Sequence, residues 1–131
     1  VKEQVPGATM TILGDGPMRA ELERLVVSGL GVSGLADSVQ FVGQVKSSEM
    51  AGYLAKNDIL LSAPHIDNMP VSVMEAMNAG TLVISSRVGG VPYMIEDGVS
   101  GMLFEDDDAE GMAKCILQAI ANPKRTEAMI A

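Results

Sequence analysis

Short uninterrupted apolar runs alternate along this chain with apolar residues at helical spacing. "ATMTILGDGP" reads as a strand over Thr9–Leu13 and a Gly-Asp-Gly turn, with Pro17 opening the next helix. In "MRAELERLVVSGLG", Leu22, Leu25 and Val26 form a helical stripe that the following glycines end. "VQFVG" predicts a second strand, and "SSEMAGYLAKN" a helix with Ser48 as its N-cap. "DILLSAP" predicts a third strand. It is apolar throughout rather than alternating, as in a strand covered by helices on both faces. A helix in "NMPVSVMEAMNAG" comes next, then a strand "TLVISS", a loop "RVGGVP", a short helix, a turn at "EDGVSG", a strand "MLF" and a helix over Ala109–Ala121. At the two ends, "VKEQVPGA" reads as the tail of a helix arriving at a strand, and "NPKRTEAMIA" as another helix beginning.

This alternation predicts parallel strands joined by right-handed crossovers, hence an open, doubly wound α/β sheet. The abrupt ends make residues 1–131 one partial domain, truncated at both ends, by expectation. Composition supports a core, with 47% hydrophobic residues. There is no run of eighteen apolar residues and no basic-then-apolar leader, so neither a membrane span nor a signal peptide is expected. A cytoplasmic protein is expected, with any membrane association, peripheral at the inner face, left to segments outside this chain. The net charge of -8, with the nine Lys and Arg scattered, argues against a nucleic-acid partner. Cys115 is the sole cysteine, which excludes an internal disulfide. It shares helical spacing with Met112, Ile116, Ala119 and Ile120 and reads as core.

In such a sheet, ligands bind beyond the carboxyl ends of the strands, at helix N-termini. Three loops qualify: Gly14–Pro17, Ala63–Pro70 and Arg87–Pro92. Gly14-Asp15-Gly16 lacks the third glycine of a dinucleotide fingerprint. In the middle loop Asn68 can cap the helix and Pro70 fits its first turn, leaving N–H groups and a dipole suited to an anion. On a helical wheel Val73, Met74, Ala76 and Met77 would face the core. Glu75 falls in a narrow arc with Ser72, Asn78 and Ala79, which faces either water or a ligand. If that arc is covered, the carboxylate needs hydrogen-bond donors, which a sugar diol can supply. Gly89-Gly90 either lets backbone approach a ligand or makes a strand-to-helix turn. His65 shares its loop with Asp67, as an incidental residue or as a contact to a ligand. "EDDDAEG" could attract a hard cation, but Asp107-x-x-Glu110 fits a capping box and no metal site is expected.

Taken together, "ATMTILGDGP", "VQFVGQV", the long stretch from "DILLSAP" to "GMLF" and the closing helix resemble the C-terminal domain of GT-B-type retaining glycosyltransferases of family 4. The resemblance covers nearly the whole chain. It implies a nucleotide-sugar donor as substrate, transfer with retention of configuration, and neither cofactor nor metal ion. Two acids separated by seven residues flank the donor in that family, as Asp67 and Glu75 are spaced here. Glu75 would hold the ribose hydroxyls and Asp67 would face the donor sugar, in the catalytic position. Backbone N–H groups around Met69 to Val71 would face the diphosphate, and Asn68, Pro70, His65, Gly89 and Gly90 would belong to the same donor site. Gln44 and Val45 would lie against the base. Departures are Asp67 where Glu is usual, Tyr93 where Glu is common and Thr81 where Pro is usual.

The resemblance also implies an Arg and a Lys upstream of Thr9, and an acceptor-binding N-terminal domain, both outside this chain. The 131-residue chain alone is therefore expected to be inactive. A sugar-nucleotide epimerase of the same fold and a non-catalytic nucleotide-binding module are the alternatives. With the family's central strand upstream, the strands at Thr9 and Ile59 are expected to pair directly, giving the order Val39–Val42, Thr9–Leu13, Ile59–Ser62, Leu82–Ser85. Self-association through open strand edges is the other outcome.

Overall fold

The computed structural model describes residues 1–130, in which two units divide at Ser47/Ser48. In the first, β1 (Met10–Leu13) leads through α1 (Arg19–Ser28) to β2 (Val39–Gly43). The two strands pair in parallel, from Met10 opposite Val39 to Leu13 opposite Gly43, with a shift in register after Ile12. Helix α1 starts two residues after Pro17 and stops where Gly29 turns left-handed at φ 72. Its stripe is thinner than the spacing predicts, for Leu22 and Leu25 stay 39% and 41% exposed. Residues 1–5 make a single turn, closed by the Val5 N–H to the Val1 carbonyl, rather than the tail of a helix. Pro6 follows at once and cannot carry a helical hydrogen bond.

The second unit shows why its strands lack alternation. β3 (Ile59–Ser62), β4 (Leu82–Ser86) and β5 (Met102–Phe104) form a parallel sheet in that order, with β4 central. Successive side chains point to opposite faces. Leu60, Val83 and Leu103 enter one apolar layer with residues of α2 (Ser47–Leu54), α3 (Val71–Asn78) and α4 (Val91–Met94). Ile59, Leu61, Leu82, Ile84, Met102 and Phe104 enter the other, with residues of α5 (Ala109–Ala121) and α6 (Pro123–Ile130). Both faces are dry, so β4 is buried at every residue and the doubly wound α/β arrangement follows. Cys115 lies half-buried in the second layer, with burial pushing its thiol pKa up.

One expectation fails. β1 pairs with β2 and β3 with β4, and no ladder joins β1 to β3. Direct pairing would have required packed helices to shift by one strand spacing, about 4.8 Å, and the strands remain in separate sheets. Smaller corrections concern helix starts. α2 already includes Ser47, so Ser48 is not its cap. α5 is capped by Asp108, one residue beyond the expected Asp107, and the Asp108 carboxylate accepts the Gly111 N–H at 2.8 Å. Asp107 sits instead at φ 59, a left-handed turn that Asp tolerates better than most residues.

Candidate functional site

The loop of residues 63–70 leaves β3 and feeds α3. Asp67 is half-buried and turns its carboxylate onto its own loop, where Oδ1 accepts the Met69 N–H at 3.0 Å. This Asx turn fixes the approach to the helix. Pro70 then occupies the N-cap position at ψ 117, with no side-chain cap, so neither Asn68 nor any hydroxyl performs that role. Asn68 is exposed, as are Met69 and Val71. Pro70 is buried, and its carbonyl accepts the Val73 N–H. Among the described residues, the N–H groups of Val71 and Ser72 make no hydrogen bond. Two free donors at the positive end of a dipole suit an anion.

Farther along α3, Val73 and Ala76 are fully buried. Met74 and Met77 were expected beside them but stay 41% and 38% exposed, so the core arc is narrower than the wheel suggests. Glu75 is half-buried, one turn beyond Val71 and Ser72. Among the described residues its carboxylate has no hydrogen bond and no ion pair. A partly desolvated charge without a protein partner keeps its acceptor capacity for something else.

Gly89 and Gly90 follow β4, and the structure gives them a definite task. A Cβ on Gly89 would collide with the Asp67 carbonyl, and one on Gly90 with the Asn68 carbonyl. The Gly90 N–H donates to the Asp67 carbonyl at 3.1 Å. The turn is thus seated on the backbone of the 63–70 loop. It makes the strand-to-helix connection, and the close approach it permits is to the protein's own chain. His65 is exposed and meets Asp106 Oδ1 through Nδ1 at 2.8 Å. The hydrogen bond and charge of Asp106 raise its pKa above the ordinary histidine value.

Other residues around the loop escaped the sequence reading. The buried Ser86 hydroxyl donates to the Pro64 carbonyl at 2.6 Å, tying the loop to the end of β4. A polar Ser85-Ser86 pair closing an apolar strand was the available signal. Arg87 spans Asp97 and Glu105 at 2.7 and 3.1 Å, joining the ends of β4 and β5. The Asp97 Oδ1 also accepts the Leu103 N–H on the free edge of β5. The "EDDDAEG" acids therefore hold an arginine, a histidine and a helix N-terminus. Gln44 and Val45 belong to the first unit, directly after β2; Gln44 is exposed and Val45 half-buried. There the Gly14 N–H donates to the Gly43 carbonyl at 2.7 Å. The Arg19 guanidinium lies over Gly43, paired with Glu23 at 2.8 Å and Asp15 at 3.5 Å.

The same succession of strands, loops and helices is found in known proteins. Residues 1–122 match the family described as "Glycosyl transferases group 1". This chain belongs to that family. Among curated glycosyltransferases, it is 34% identical over 124 residues to the amylovoran biosynthesis enzyme AmsK of Erwinia amylovora, covering 90% of this chain and 30% of that protein. It is 32% identical over 119 residues to the lipopolysaccharide core biosynthesis glycosyltransferase LpsE of Rhizobium meliloti, covering 91% and 33% respectively. The chain thus spans about a third of the length of these two glycosyltransferases. The crystal structure of HepE from Anabaena in complex with UDP-glucose superposes with a TM-score of 0.83 at 22% identity, covering 95% of this chain and 34% of that one. That likeness carries the fold alone.

Proposed function

We propose that this chain is the donor-binding part of a glycosyltransferase that transfers a sugar from a nucleotide-sugar donor to an acceptor, with retention of configuration. The observation that carries the reading is Glu75, a half-buried carboxylate without a protein partner, on the helix whose first two N–H groups are also free. An anion at the N-terminus of α3 and a pair of hydroxyls at Glu75 together describe a nucleoside diphosphate. Glu75 would accept hydrogen bonds from the ribose hydroxyls, and the N–H groups of Val71 and Ser72 would face the phosphates. Asp67, through the carboxylate oxygen not committed to Met69, would face the donor sugar. Gly89 and Gly90 would serve by holding the loop rather than by touching the donor. By the family resemblance alone, Gln44 and Val45 would lie against the base.

Retention and independence from metal ions rest on the family resemblance. On that reading, positive charge and helix dipoles stabilise the departing diphosphate. Acceptor binding and the cations opposite the diphosphate fall to parts of the protein outside this chain, so the chain by itself would not turn over. Glu75→Gln, made in the whole protein, is expected to weaken nucleotide binding by about 1.5–3 kcal/mol, the range for a hydrogen bond to a charged group. Calorimetric titration with UDP and with GDP would show this as a loss of about 10- to 150-fold, at an unchanged melting temperature. A variant that melts early yet binds nucleotide normally would make Glu75 structural. Release of nucleotide only with acceptor present would mark transfer, and epimerised donor without transfer would reject it.

A further inference from the structure

The loop that carries Asp67 is fastened at three points. Ser86 holds Pro64 at 2.6 Å, Gly90 holds the Asp67 carbonyl at 3.1 Å, and Asp106 holds His65 at 2.8 Å. The first two fastenings are neutral hydrogen bonds and do not change with pH. The third joins two loops 41 residues apart in sequence and includes the sole histidine. Among the described residues, the charges that act on the imidazole are Asp106 and Asp107, both on the segment between β5 and α5. On its own loop Asp67 is the nearest acid, and its Oδ1 is engaged by the Met69 N–H. Protonated, His65 donates from Nδ1 to a carboxylate as an ion pair; neutral, it keeps at most an uncharged hydrogen bond.

We propose that His65 is a positioning residue: its contact with Asp106 holds residues 63–70 in the conformation that presents Asp67 and the N-terminus of α3 to the nucleotide, and the hold slackens as the imidazole loses its proton. The proposal rests on the nucleotide reading above for its consequence, but not for the hold itself. The direction follows from linkage. The folded-state pKa is raised above the unfolded value of 6.5, so the contribution is complete below 6.5 and disappears as pH rises through the folded value. The pair is well exposed, which keeps the effect small, about two- to fivefold in an equilibrium constant.

Hydrogen exchange of the loop amides, corrected for intrinsic rates, tests the hold without any ligand. Between about pH 6 and about pH 8, where histidine titrates, protection of the Met69 and Gly90 amides, both bonded to Asp67, should fall about two- to fivefold in the unmodified protein. His65→Gln and Asp106→Asn should show the low level at both pH values. His65→Lys, which keeps a cation throughout this range, should hold protection near the low-pH level. A merely space-filling His65 would give none of these differences. Protection that does not change with pH, or that falls equally in the His65→Gln variant, overturns the proposal. Titration of the same whole proteins with UDP and GDP then reads the consequence, and affinity should track loop protection. Loop protection that changes with pH while neither nucleotide binds would support the hold and overturn the nucleotide reading. Nucleotide binding that ignores a pH-dependent loop would overturn the proposed link between them.

Discussion

Two adjacent glycines show how much a single residue can decide here. Gly89 and Gly90 lie against the carbonyls of Asp67 and Asn68, so any side chain must push the 63–70 loop away. Gly90→Ala is expected to cost about 1–3 kcal/mol, the range for forced overpacking, measured by chemical denaturation. Gly52 provides the control. It lies inside α2, where an added methyl group would meet nothing within 4 Å, and its φ is not left-handed. Gly52→Ala should stabilise by about 0.5–1 kcal/mol, since alanine loses less backbone entropy in a helix. If both substitutions shift stability in the same direction, the contact between turn and loop is not the cause. The sequence shows a Gly-Gly pair as a turn or a close approach, yet not which backbone is approached, because that depends on β3 and β4 being neighbours.

At the scale of elements, polar groups fix the ends of helices whose apolar faces were plain from spacing. Thr81, buried at the start of β4, donates its hydroxyl to the Leu54 carbonyl at the end of α2, and its N–H to the Ala76 carbonyl of α3. A proline could supply neither bond. Thr81→Val keeps the shape and removes the hydroxyl, for an expected loss of about 1 kcal/mol in thermal or denaturant unfolding. An unchanged stability would show that α2 needs no such tie. β2, β5 and α5 were legible in extent to within a residue, because each is bounded by glycine or charge, although the cap of α5 is Asp108 and not Asp107. The starts of α1 and α3 were not. Proline fits the first turn and the N-cap region alike, and only the neighbouring backbone decides between them. For the candidate site, the loop and the Glu75 arc were visible as pattern. The ties from Ser86, Asp106 and Gly90 were not, since each links segments far apart in the chain.

Over the whole molecule, burial is distributed unevenly. Among the described residues of the first unit only Gly43 is buried, while in the second β4 has an apolar layer on each side. Local opening follows buried contact, so amides of β4 should exchange slowest and those of β1 markedly faster. Equal protection in native-state hydrogen exchange would contradict this. The pairing of strands was the least legible feature, because it depends on how apolar edges compete across the sheet and not on any local motif. The burial of β4 also bears on how the chain reaches its fold. Residues 81–86, "TLVISS", contain no charge and no proline, and every side chain is hidden in the finished structure. Outside that structure, such a stretch can add edge-on to its like and build an aggregate. Arg87 follows the stretch directly and Gly80 precedes it, in the positions where a charge and a break interrupt stacking. Until α3 and α5 close over the strand, those two flanking residues are the local interruptions to such stacking.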